Sequence, residues 1–517
     1  MLVDNAVNGD SRVQKEARSA AAAGWEVVLV GKSPTKEAQS WRIGDARVEL
    51  LHVPGPMKRR RHEYRRAVLR APLAYPPGPL AAYRRHKSMA WRVDLNSRRI
   101  LAQQQGSMVA KLRLVIPRIT ARVQGLWIRL RVRQTRILDT RRKRMDSFLD
   151  RVTTAFWLRT MGNRAWRRLD PHLWDLELAY GKVVDELEPD LIHANDFRML
   201  GVGARAALRA RAEGRDVKLV WDVHELVSGI KPWDPHPRWH VAQIAHEREY
   251  APYADAVVTV SDTLADLLVK EHNLTERPSI VLNAPEEELA PEQATELVPD
   301  LRRLCGIGPK VPLCVYSGAA APQRGLDIMV ESLPALPHLH VALVVLRTES
   351  AYVKSLTQRA EDLGAADRLH ILPYVPHHQV VPFLSAADVG VIPIHHWPNH
   401  EIALITKFFE YSHARLPLVV SDVKTMAEMV EKTGQGEVFK AEDVEDYICA
   451  VKAVLARPKA YREVYATPGL LKQWTWEAQA DNLDRLYTRL ALSSEGQTAE
   501  VPDDSDLRSR CLSGCDH

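Results

Sequence analysis

Several short stretches place acids, amides, histidine or strong cations at the end of apolar runs. They are 193-HAND-196, 222-DVHE-225, 317-SGAAAPQRG-325 and 399-NHEIALITKFFE-410, with 8-NGDSR-12 near the N-terminus. Arg324 lies between Gly318 and Gly325. A guanidinium there can grip a diphosphate with two parallel bonds and stabilise it as a leaving group, and the glycines allow close backbone approach. Lys407 and Glu410 stand among apolar residues in a helix expected over 406–413. Its first amides, just after 403–405, are unpaired and form a ready cradle for an anion. Lys407 adds positive charge, and the Glu410 carboxylate can accept two hydroxyl bonds. The plainer explanation, an ion pair on an exposed helix, fits poorly beside Phe408, Phe409 and the apolar strand after Pro417. His224 stands between two acids. A lone histidine at a strand end is more often structural, and strand alternation lets only one of Asp222 and Glu225 share its face. Asn195 can bond a hydroxyl but cannot relay a proton. Helix capping accounts for Ser11 and leaves Arg12 available to a cleft.

These residues need elements to hold them. The first 50 residues read β-α-β-β: a strand at 1–5, a capping-box helix opened by Ser11 and running to Ala23, and strands 26–31 and 47–53. The pattern breaks at Pro54 and resumes near 172 with strands 190–196, 217–225, 255–262 and 279–285. A Pro/Glu-rich linker covers 284–300. Alternation then restarts with strands 312–318, 339–346, 368–375, 388–394, 417–422 and 436–439, separated by helices 325–335, 350–363 and 406–413. Two successive β-α arrays predict an α/β protein with two doubly wound parallel sheets. Ligands bind such sheets outside the carboxyl ends of the strands, where most of the polar residues above fall.

At 517 residues the chain is too long for one hydrophobic core. No window approaches 18 uncharged apolar residues, so no membrane-spanning helix is expected, and the first residues do not form a signal peptide pattern. Five scattered cysteines argue for a reducing compartment; Cys511, Cys515 and His517 sit in a polar tail beginning at 492 that reads as disordered. The net charge of +6 is unevenly spread. Residues 57–145 hold 25 of the 71 Lys+Arg and 3 of the 65 Asp+Glu. Within them Lys111, Arg118, Arg122, Arg129 and Arg133 mark one helical face. Leu112, Val115, Ile119, Val123, Leu126 and Leu130 form the adjoining one, with Trp127 beside it and Pro117 as a kink. A basic amphipathic helix with an interfacial tryptophan predicts attachment to an anionic membrane surface. A solvated hairpin packed on the enzyme is the alternative. No nucleic-acid motif accompanies the charge, so nucleic acid is not expected as a partner.

In order and number, the motifs resemble the retaining glycosyltransferases of family 4, with the two-domain GT-B fold. They are 5-NAVNGDSRVQKEA-17, 222-DVHEL-226, a strand ending in V-S-D at 260–262, S-G-x(5)-R-G-L-D at 317–327, D-R-L-H-x-L-P at 367–373, A-D-V-G at 387–390 and 407-KFFEY-411 followed by 417-PLVVSD-422. The resemblance implies an N-terminal acceptor-side domain over 1–290, with a basic helical insertion at 57–175. It further implies a C-terminal nucleotide-sugar domain over 291–473 and a closing helix at 474–491. It implies that the 406 helix start holds a donor diphosphate, that Glu410 binds the donor ribose, and that Gly318, Arg324, Leu404, Ile405, Thr406 and Lys407 complete the donor site. His224, Arg324 and Lys407 are its catalytic candidates; Ser11, Arg12, Asp196 and His224 are its acceptor candidates. Two departures stand out. Ile402 replaces the first of two glutamates spaced eight apart, leaving Asn399, Glu401 or backbone amides to hold the donor sugar. Asn195 replaces a histidine. The expected reaction is metal-independent transfer, with no cofactor, from a nucleotide sugar to a glycan or lipid-linked acceptor in envelope or exopolysaccharide synthesis. It is placed in the cytoplasm or on the inner face of the plasma membrane. A nucleotide-sugar 2-epimerase and a degenerate membrane-bound scaffold are the alternatives.

Overall fold

The computed structural model describes all residues except 56, 58–70, 77–78, 105–107, 145–147, 231–236, 288–295, 403 and 498–517. The chain divides into two compact units. One comprises Met1–Pro54, Leu176–Lys231 and His246–His517; the other comprises Gly55–Asp175 and Pro232–Ala245.

The larger unit contains both β-α arrays. The first sheet has strands β1 (Val28–Lys32), β2 (Gln39–Ile43), β3 (Ala46–Leu51), β4 (Leu191–Asn195), β5 (Lys218–Val223), β6 (Ala256–Thr259) and β7 (Ser279–Ile280). The expected strand at 1–5 contracts to Leu2, which bridges β1 and β4 in parallel. Leu2 accepts from the Asn195 amide and donates to His193, so it still occupies the middle of the sheet. The resulting order, β2-β3-β1-Leu2-β4-β5-β6-β7, reverses direction on either side of Leu2. That is a topological switch point, and the loops after Leu2 and β4 open there. The antiparallel β2 was not expected: of its residues only Trp41 and Ile43 are half-buried, too few for a readable period. The first helix, Ser11–Ala22, is capped by Asp10 rather than Ser11; Asp10 accepts from the Val13 amide. Gln14, which a capping box would send back to the cap, donates to Val7 O instead.

The second sheet is fully parallel, with order β10-β9-β8-β11-β12-β13. Its strands are β8 (Leu313–Gly318), β9 (His340–Val345), β10 (Leu369–Pro373), β11 (Val389–Ile392), β12 (Leu418–Ser421) and β13 (Gly436–Phe439). Alternate residues of β8 enter opposite cores: Leu313 and Val315 on one face, Cys314 and Tyr316 on the other. Burial on both faces explains why these strands read as continuous apolar runs. The switch point lies between β8 and β11, beside the end of β8 at Gly318. The last helix, Trp476–Gln497, returns to the first domain, where Trp476, Leu483, Leu486 and Tyr487 join its core. It continues past 491, so the tail expected from 492 begins as helix; residues 498–517, with Cys511, Cys515 and His517, lie outside the described residues, as does much of the linker.

In the smaller unit, the helices Leu80–Gln104 and Val115–Arg144 pack along small or apolar residues seven apart: Ser88, Leu95 and Ala102 against Ala121 and Ile128. Lys111 does not share the long basic face, because its helix, Met108–Arg113, is separate. Pro117 causes no kink: it falls in the first turn of the second helix, where no N–H is required. In the helix Phe148–Met161, Asp150 and Thr154 are buried, and Arg238 answers Asp150 at 2.8 Å.

Candidate functional site

The carboxyl end of β8 is built for close approach. Gly318 has φ +128°, and a Cβ there would lie 2.5 Å from Lys407 Nζ. The Lys407 ammonium therefore rests on the strand end, 5.2 Å from the centre of the Tyr316 ring. Arg324 follows in the turn Pro322–Arg324. Gly325 closes that turn at φ +64°, where any Cβ would meet Pro393 O at 2.0 Å. Burial, and then the Arg324 charge, push Lys407 down to about 8. Among the described residues neither cation forms an ion pair. Glu410 offsets the Lys407 charge and Glu225 lies within the field of Arg324, so the strand end carries two cations with acids near but not bonded to them.

The helix Thr406–His413 begins here. Its cap residue Ile405 offers no side-chain acceptor; the Phe408 amide turns back to Ile405 O at 2.9 Å, and among the described residues the Thr406 and Lys407 amides stay open. Thr406 Oγ1 accepts from Asn283 Nδ2 at 3.1 Å. Glu410, one turn in, is 3% exposed. Burial raises its carboxyl, while Lys407 and Lys15 act in the opposite direction. Lys15 comes from the first helix, and its Nζ reaches Asn283 Oδ1 at 3.1 Å and Ala284 O at 2.5 Å. Burial and Arg12 push Lys15 down to about 7.

Opposite stands a buried charge network. Arg12 grips Asp222 through Nε at 2.9 Å and a terminal nitrogen at 3.0 Å, and donates to Val281 O at 2.8 Å. Glu16 lies 2.9 Å from the same guanidinium. Burial alone would raise Asp222, yet Arg12 and His224 hold it well below the usual carboxylate range. Burial beside Asp222 raises Glu16 well above that range. His224 Nε2 lies 3.0 Å from Asp222 Oδ2, and its Nδ1 lies 3.7 Å from Asp196 Oδ1. Burial opposes the charge on His224, but Asp222 and Asp196 outweigh it and raise the ring to about 9. At neutral pH both ring nitrogens then carry protons, so His224 can donate to an oxygen but cannot serve as a base.

The comparisons match this architecture. The family Glycosyl transferases group 1 matches residues 300–467, and Glycosyltransferase Family 4 matches residues 141–285. The D-inositol 3-phosphate glycosyltransferase of Geodermatophilus obscurus is 27% identical over 304 residues, covering 52% of this chain and 66% of the relative. The chain thus spans just under two thirds of that relative's length. Among solved structures, sucrose-phosphate synthase from Thermosynechococcus elongatus superposes with TM-score 0.57 at 15% identity, covering 93% of each chain. An E. coli trehalose-6-phosphate protein bound with UDP-2-fluoro glucose gives 0.52 at 12%, covering 95% of this chain and 97% of its own.

The chain has the GT-B fold and matches two glycosyltransferase families, one over each β-α array. In this GT-B chain, Asn399 and Glu401 are committed to the protein itself. The Asn399 amide clamps both backbone groups of Leu226, accepting at 3.0 Å and donating at 3.2 Å. Glu401 takes the Lys424 amide at 2.8 Å, capping the helix Lys424–Thr433, and meets His396 at 2.6 Å. Leu404 is buried and Ile405 is half-buried beside the helix start; Ala403 lies outside the described residues. Lys407 is the second cation at Gly318, and the alanines 319–321 supply none. Strand alternation puts Asp222, not Glu225, on the His224 face. Arg12 is enclosed, and its guanidinium is spent on Asp222. Ser11 is half-buried in the first turn of its helix. Asn195 is buried with neither side-chain polar atom bonded, and Asp196 carries a strained φ of +63°.

Lys15, Glu16 and Asn283 were not anticipated. The available signal was the run Arg12, Lys15 and Glu16: charges at i, i+3 and i+4 on a helix that also buries Val13, Ala17, Ala20 and Ala21. Glu16, His193 and Asp222 also form a ligand-type group, buried throughout. Arg12 already bonds Asp222 and lies against Glu16, which makes this a charge network.

Proposed function

We propose that this protein is a retaining glycosyltransferase using a nucleotide-diphosphate sugar. The observation that carries this is the Arg324–Lys407 couple, which forms no ion pair among the described residues, at the start of the helix bearing buried Glu410. The diphosphate binds the two cations and the free amides, and Glu410 accepts from the ribose hydroxyls. These positive groups answer the charge that develops as the sugar–phosphate bond breaks, so the proposed reaction runs without a metal ion. The acceptor hydroxyl attacks the anomeric carbon from the side the diphosphate leaves. The new C–O bond forms there, and a departing phosphate oxygen takes the hydroxyl proton. Imidazolium His224 donates to a sugar oxygen, and Asp196 and Asn195 line the acceptor side. The acceptor is a glycan or a lipid-linked saccharide of the cell envelope or an exopolysaccharide, in a cytoplasmic setting. The names of the inositol-phosphate and sucrose-phosphate relatives add a phosphorylated polyol or sugar to the acceptors worth assaying.

A thermal-shift screen of nucleoside diphosphates and their sugars tests the donor. Saturation at a hundred times Kd adds about 2.7 kcal/mol of stability. Assays of transfer and donor hydrolysis then compare the wild type with Glu410→Ala. Stabilisation by one nucleotide, lost in the variant together with turnover, supports the reading. Stabilisation without turnover for any common nucleotide sugar points to a scaffold, and a sugar epimerised without transfer points to an epimerase.

A further inference from the structure

The smaller unit turns apolar side chains outward. In the helix Val115–Arg144 the buried residues Ala121 and Ile128 face the neighbouring long helix. The opposite face carries Val115, Ile119, Val123, Leu126 and Leu130, spaced four, four, three and four apart, with Trp127 at its edge. Ile119 is 55% exposed, Val123 61% and Leu126 59%, so this face has no cover among the described residues. Over these residues it extends about 22 Å. Arg118, Arg122, Arg129 and Arg133 border it on one side, and within 57–145 cations outnumber acids 25 to 3. The helix Phe148–Met161 repeats the inversion: Asp150 and Thr154 are buried, while Phe148 and Phe156 are exposed.

We propose that this apolar, arginine-bordered face is a docking surface for an anionic lipid bilayer, with the helix lying flat at the interface. Apolar side chains enter the acyl boundary, Trp127 sits at headgroup level, and the arginines pair with lipid phosphates. A second copy of the chain would bring the same excess of cations to the contact, and like charges would oppose it. A nucleic acid would satisfy the arginines and leave the apolar stripe in water. No helix among the described residues is long and apolar enough to cross a membrane, so the attachment is lateral. The inference does not depend on the transferase reading.

Co-sedimentation of the full chain with vesicles tests it, without any sugar donor. The protein pellets with phosphatidylcholine vesicles containing phosphatidylglycerol, stays in solution with phosphatidylcholine alone, and releases as salt rises. Replacing Arg122, Arg129 and Arg133 together by Gln weakens partitioning by about a hundredfold, at roughly fivefold per charge. Val123→Glu with Leu126→Glu abolishes it while the circular-dichroism melt stays as in the wild type, because both positions are exposed. Equal binding to both vesicle types, no binding to either, or wild-type partitioning by both variants overturns the proposal. So does a chain that self-associates through this face, becoming monomeric in the Val123/Leu126 variant with vesicle binding unaltered, or one that binds RNA in preference to vesicles.

Discussion

Two groups of charge stand at the switch points of the two sheets, one buried around Arg12 and one half-buried at Arg324 and Lys407, and they differ in a second respect. Around Arg12 the charges are matched: the guanidinium bonds Asp222 twice, lies against Glu16, and Asp222 also holds His224. Around Gly318, Arg324 and Lys407 repel one another, and neither has an ion-pair partner among the described residues. A buried cation held by a carboxylate of its own chain fixes geometry. Cations whose neighbouring acids do not bond them keep their donors available to an incoming anion, at a cost to the free protein.

This contrast makes opposite mutations behave differently. The largest effect is expected from Arg12→Ala, which strands Asp222 in the interior; urea unfolding should show a loss of about 3–5 kcal/mol. Arg324→Ala should leave the melting midpoint unchanged or higher while slowing transfer by about a hundred- to a thousandfold, read as kcat at saturating donor. If instead Arg324→Ala unfolds the protein and Arg12→Ala leaves its stability intact, the assignment of one network to structure and the other to binding is reversed.

His224→Asn probes the link between the two roles. The folded-state value of His224 is raised to about 9 from an unfolded value near 6.5. Its stabilisation is therefore complete below 6.5 and fades as pH rises through about 9. Unfolding of wild type and variant should differ by about 1.5–3 kcal/mol in acid and converge in alkali. The smallest effect concerns Lys407, pushed down to about 8 in the free protein. Calorimetric affinity for a nucleoside diphosphate should fall roughly tenfold as pH rises past that value, and the fall should vanish in Lys407→Met.

How much of this was readable varies by residue. The helix 406–413 and most parallel strands were legible because burial on both faces leaves continuous apolar runs between polar breaks. The strand β2 was not, because an edge strand with two half-buried residues has no period to read. Lys407 and Glu410 announced themselves as charges in an apolar setting, and so did Arg324 between its glycines. Asn399 and Glu401 matched a motif, yet their side chains serve Leu226 and the Lys424 helix, a choice made by chain segments far away in sequence. The same distance hid Lys15, whose partners Asn283 and Ala284 lie some 270 residues on.

What the sequence determined by itself was the pair of sheets, because alternating β and α periods with buried runs admit few other packings, and the strand ends where polar residues cluster. Which charges remain unanswered was decided only in three dimensions. Arg12 and Arg324 are the same side chain at comparable positions in two similar domains. Arg12 met Asp222 across the first sheet, Arg324 formed no ion pair among the described residues, and the local sequence around neither residue records that difference.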